Sequence, residues 1–105
     1  MFNKFLVLKW FMKIRVELVG QFRDITGAKE VLVELEEGKT MYDLVLTMVE
    51  KYGREFEKRV FIEGTKNLSE DVTIVLNGRV ISVDKASSTI LNETDTVVLM
   101  PEAII

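Results

Sequence analysis

From Lys13 onward the chain alternates between apolar and polar positions. Ile14, Val16 and Leu18 fall on one side, with Arg15 and Glu17 on the other, which is the pattern of a strand with one buried face. Asp24-Ile25-Thr26-Gly27 reads as a turn, and Val31, Val33 and Leu35 then alternate with Glu30, Glu34 and Glu36. Two such runs around a glycine-containing loop predict an antiparallel hairpin. The period then becomes helical. Met41, Leu44, Val45, Met48 and Tyr52 share one helical face, Thr40 stands at the N-cap with Asp43 three residues on, and Gly53 takes the C-cap place. An apolar stripe of this kind has to cover something, and the inward face of the hairpin is the available partner.

Residues 54–70 are polar and mixed. Phe56 and Val60, four apart, predict one helical turn, and 64–67 read as loop. Val72 through Leu76 predict a third strand. Asn77-Gly78 predicts a two-residue hairpin turn, with the return strand beginning at Val80-Ile81. After a polar stretch, Thr96 through Met100 predict a last strand, stopped by Pro101. The order is therefore strand, strand, helix, strand, short strand, strand, the order of an α+β domain with a helix across one face of a mixed sheet of four or five strands. The first and last strands, both apolar and rich in β-formers, are expected side by side at its centre. No repeat or linker divides the chain. The expected domain is 12–105, preceded by an apolar extension over 1–11.

Composition narrows the chemistry. At 105 residues and 48% hydrophobic, the chain can hold one core without a disulfide or a metal. It has no Cys and no His, which removes disulfides, zinc-finger sites, thiol nucleophiles and imidazole bases. Carboxylates are the ligands that remain, and they show no calcium-loop spacing. The acidic cluster Glu34, Glu36 and Glu37 reads as a solvated strand edge. The helix charges Glu50, Lys51, Arg54, Glu55 and Lys58 read as a wet face. No catalytic residue, metal or cofactor is expected. Net charge is −3 without a basic stripe, which argues against nucleic acid. No stretch reaches the roughly 18 apolar residues of a membrane span. The opening run is interrupted at Lys9 and is followed by no small-residue cleavage site, so a cytoplasmic location is expected.

Several pieces in this order resemble the MoaD/ThiS family of ubiquitin-like sulfur carriers, and MoaD, the small subunit of molybdopterin synthase, most of all. They are Met12 to Val16, Gln21-Phe22-Arg23-Asp24-Ile25-Thr26-Gly27, Thr40 to Leu44 through Tyr52-Gly53, Val72 to Arg79, and Leu91 to Pro101. The resemblance spans Met12 to Ile105 and implies a β-grasp fold. It also implies a protein substrate in place of an enzyme. An adenylating enzyme activates the C-terminal carboxylate with ATP, sulfur replaces an oxygen, and the tail delivers the thiocarboxylate to a molybdopterin synthase large subunit. By the same resemblance, Pro101, Glu102, Ala103, Ile104 and Ile105 stand at the carrier tail, with Leu99 and Met100 at a partner contact.

The sequence departs from the family at the tail. Ile104 and Ile105 fill the positions of the family's two glycines, and none of the six glycines is adjacent to another. A β-branched side chain beside the reacting carbonyl is stiff and fits poorly in a channel shaped for glycine. Two readings stand side by side. In one, this is a divergent carrier for molybdenum or tungsten cofactor synthesis. In the other, it is a β-grasp interaction module without the carrier role. A nucleic-acid-binding β-grasp domain is the distant third. Phe2, Phe5, Leu6, Val7, Leu8, Trp10 and Phe11 make the opening segment adhesive if exposed. Either Met12 is the natural start, or 1–11 packs on the domain or mediates a homodimer.

Overall fold

The computed structural model describes residues 10–102. Most of the expected extension, and the tail positions Ala103, Ile104 and Ile105, lie outside these described residues.

The expected β-grasp is the observed fold. Strand β1 (Phe11–Leu18) pairs antiparallel with β2 (Glu30–Glu36), with Ile14 opposite Val33 and Val16 opposite Val31. The last strand, β5 (Thr96–Pro101), lies parallel to β1, with Arg15 opposite Thr96 and Leu18 opposite Leu99. It is also antiparallel to β3 (Val72–Leu76), which pairs with the short β4 (Arg79–Ile81). The sheet order is β2-β1-β5-β3-β4, so the first and last strands are neighbours at the centre, as expected.

Alternation along β1 sets the layers. Met12, Ile14, Val16 and Leu18 are buried while Phe11, Lys13, Arg15 and Glu17 are exposed. The buried face packs under α2 (Met41–Tyr52), whose Met41, Leu44, Val45 and Met48 are all core. Thr40 and Asp43 close a reciprocal cap. The Asp43 N–H donates to Thr40 Oγ1 at 3.2 Å, and the Thr40 N–H donates to Asp43 Oδ2 at 2.9 Å. Gly53 ends α2 at φ 81° and opens α3 (Arg54–Val60), the helical turn predicted from Phe56 and Val60, both fully buried. Asn77 and Gly78 both have positive φ, 50° and 85°, as the tight β3–β4 turn requires. Its base is braced by Asp95, whose carboxylate accepts from Asn77 Nδ2 at 2.8 Å and from the Asn92 N–H at 2.7 Å.

Two local expectations are corrected. The first loop is not a simple turn: Gln21–Thr26 form a short helix, α1, anchored by buried Phe22 against Phe56 with ring centroids 5.5 Å apart. The polar stretch after β4 contains a 3-10 segment, Val83–Ser88, with Ala86 in the core. Pro101 ends β5 as expected, standing inside the strand as its last residue, opposite Val72, and one further bond follows it, from the Glu102 N–H to the Asp71 carbonyl at 2.8 Å.

Candidate functional site: the end of the last strand and the open sheet face

β5 carries the chain toward the tail and holds it from both sides. On the β1 side, the Val19 N–H donates to the Leu99 carbonyl at 3.1 Å. On the β3 side, the Glu102 N–H is fixed to Asp71. Between these bonds the Pro101 ring packs onto Gly20. A Cβ on Gly20 would stand 3.2 Å from Pro101 Cγ and 3.3 Å from Cδ, and Gly20 has φ +61°. Glycine is thus needed here for backbone conformation and for close approach. Gly20 also lies in the turn that starts α1, where the Phe22 N–H reaches the Val19 carbonyl at 3.3 Å.

Beside Pro101 a hollow of about 80 Å³ opens between α1, α3 and the end of β5, lined by Gln21, Phe22, Lys58, Arg59, Asp71 and Pro101. Lys58 and Arg59 put two cations at the point where the tail departs. Lys58 makes an exposed 3.7 Å pair with Glu55, a contact that solvent and salt weaken.

The strand's two faces divide its side chains. Leu99 was expected at a partner contact, but it is fully buried, because the alternation that exposes Met100 turns Leu99 into the core. Val98 and Met100 point to the open face and are half-buried. Cross-strand registers extend that face into one row. Val80 on β4 stands opposite Val75 on β3, Val75 opposite Val98 on β5, Val98 opposite Glu17 on β1, and Glu17 opposite Glu30 on β2. The row is apolar across three strands and acidic across two. Val80 is 71% exposed. Arg15 offsets part of the acidic end through a 2.9 Å pair with Glu30. An apolar strip beside a charged border is a surface suited to a protein partner.

The structure therefore joins Pro101, Glu102 and Met100 in one region and removes Leu99 from it. The sequence reading gives Lys58 only as part of a wet helix face and assigns no site role to Gly20, Asp71, Arg59, Val75 or Val80. Gly20, directly after an apolar strand, was the one available signal. The others become neighbours only through the sheet order.

Among the described residues no three carboxylates converge on a cation position. Away from this region, the Asp84 carboxyl is held below its usual value, chiefly by the Ser82 hydroxyl. No described helix is long and apolar enough to cross a membrane.

The ThiS family model matches residues 16–102. A comparison with curated proteins by sequence finds no match. Among solved structures, a Pyrococcus furiosus protein provisionally described as molybdopterin converting factor subunit 1 is 29% identical, with TM-score 0.70 over 88% of this chain and 99% of its own. Small archaeal modifier protein 1 of Haloferax volcanii is 19% identical, with TM-score 0.74 over 87% and 96%. CysO of Mycobacterium tuberculosis is 20% identical, with TM-score 0.68 over 86% and 99%. The last two likenesses are of fold.

Proposed function

Since the chain belongs to the ThiS family, we propose that it acts as a MoaD-type protein substrate. In this reading an adenylating enzyme engages its open sheet face, and the tail beyond Pro101 enters the partner's active site. A molybdopterin synthase large subunit then receives the loaded tail, in the synthesis of a molybdenum or tungsten cofactor in the cytoplasm. The observation that carries the reading is the clamped exit of β5. Gly20, Asp71 and Val19 fix the chain up to Glu102, so a tail is launched from a rigid base next to an apolar docking strip. Fixing the base of a reacting segment lowers the entropy lost when it enters a second protein's site. The 29% identity to the Pyrococcus protein over nearly its whole length supports the MoaD branch of the family.

Ile104 and Ile105 favour a second reading, in which the fold and docking face serve as an interaction module without sulfur transfer. Intact mass separates the two. The protein is incubated with an adenylating enzyme from the same cell, ATP and a sulfur donor, beside an Ile104→Gly/Ile105→Gly variant. A mass gain equal to exchange of one oxygen for sulfur in the unaltered chain establishes the carrier. Modification of the glycine variant alone leaves the interaction module.

A further inference from the structure

The start of β1 borders a groove of about 600 Å³ that the proposed function does not use. Trp10 and Phe11 form one wall, Ile90 and Leu91 the other, and Glu37 and Glu93 stand on its rim. Three of its apolar side chains are open to water, Trp10 at 67%, Phe11 at 53% and Ile90 at 61%, above buried Met12 and Leu91. The groove lies at the bottom end of the sheet, whereas the tail leaves beside α1 and α3. None of its lining residues belongs to the Val80–Val75–Val98 row.

We propose that the chain's own N-terminal segment, residues 1–9, turns back at Trp10 and occupies this groove. Four observations argue for that occupant. The segment joins the domain at Trp10, which is itself a wall of the groove. The Glu37 N–H holds the Trp10 carbonyl at 2.7 Å and so fixes the point of departure. Phe2, Phe5, Leu6, Val7 and Leu8 supply apolar side chains matching the walls. Lys4 and Lys9 are the segment's charged side chains and are opposite in sign to Glu37 and Glu93 on the rim. Extended, nine residues reach about 30 Å, ample to turn and cross a groove that begins at their own junction. Filling it removes apolar surface of both the segment and the groove from water.

Trp10 is the chain's single tryptophan and reports directly on the groove. The experiment compares its fluorescence in the full chain and in a chain shortened to begin at Trp10 after an initiating methionine. The expected result is bluer emission and weaker acrylamide quenching in the full chain, unchanged on dilution of a species that light scattering shows to be monomeric. Ile90→Glu alters an exposed side chain, so the fold is retained by circular dichroism. In the full chain it should return Trp10 to the spectrum of exposed indole, and Glu37→Lys/Glu93→Lys should raise its quenching. Equal spectra in the full and shortened chains, or a blue shift that survives Ile90→Glu, would overturn the proposal. So would a shift lost on dilution, which assigns the groove to a second copy. Should the shortened chain fail to fold, the groove variants of the full chain still decide the matter.

Discussion

Gly20 lies against the ring of Pro101 so closely that a Cβ would come within 3.2 Å of Cγ. The contact ties the end of the first strand to the end of the last. Two constraints coincide at Gly20: a φ of +61° that side chains disfavour, and a neighbour that leaves no room for one.

Gly20→Ala should therefore destabilise the fold by about 1–3 kcal/mol, read as a lower urea midpoint at unchanged slope. Pro101→Ala in the same chain should recover the part due to crowding and leave the part due to φ. Full recovery would show that backbone strain at Gly20 is negligible. No recovery would show that the ring contact is.

Asp95 is the buried carboxylate that braces the β3–β4 turn, and both its oxygens accept, one from Asn77 Nδ2 and one from the Asn92 N–H. Asp95→Ala leaves those donors unpaired and should cost about 1–3 kcal/mol. Asp95→Asn should rescue little, since one of its two positions would then present a donor to a donor. Thermal melts of the two variants test this, and near-wild-type stability of the Asn variant would count against the assigned bonding.

The Thr40–Asp43 cap predicts a loss of about 1 kcal/mol in Thr40→Ala and little change in Thr40→Ser, which keeps the accepting oxygen. Asp43→Ala should add less in the Thr40→Ala background than alone, because the two side chains serve one another. A double-mutant cycle by chemical denaturation measures that coupling. Strict additivity would mean that the reciprocal cap is not formed in solution.

How far the fold could be read from sequence follows from how local each determinant is. The Ile14/Val16/Leu18 alternation, the Met41–Tyr52 stripe and the Asn77-Gly78 turn carry their structure within a few residues, and all three stand as read. α1 was not legible because six residues with one core side chain, Phe22, have no period to detect. Its helix depends on Phe56, far along the chain, for an anchor. Pro101 ends the last strand as its lack of an N–H leads one to expect, and it fits inside the strand because the next donor in the ladder is Glu102.

The candidate site was legible only as a place along the chain. Alternation could assign Leu99 and Met100 to opposite faces but could not say which face the helices cover. That was fixed by the registers of β5 with β1 and β3. The row Val80–Val75–Val98 joins residues from three strands. Lys58 and Arg59 reach the tail exit because α3 packs beside α1, a contact with no trace in local pattern.

Val80 offers the most direct test of that row. It sits on the three-residue edge strand β4 with 71% of its surface in water, so Val80→Glu should change stability by no more than about 0.5 kcal/mol. If the apolar strip docks the adenylating enzyme, the buried charge should weaken binding by about tenfold or more in titration calorimetry. Ile62→Glu is the control: an equally simple change at a residue 50% exposed, beyond α3 and outside the row, which should leave affinity unaltered. Equal affinity of the Val80→Glu and unaltered chains would remove the open face from the partner surface. Equal weakening by both variants would point to general loss of net attraction between two proteins, since each substitution adds one negative charge to a chain already at −3. Weakening by Val80→Glu alone, retained in high salt, is the outcome that assigns the strip to docking, because desolvation of a charge in an apolar contact is not screened away.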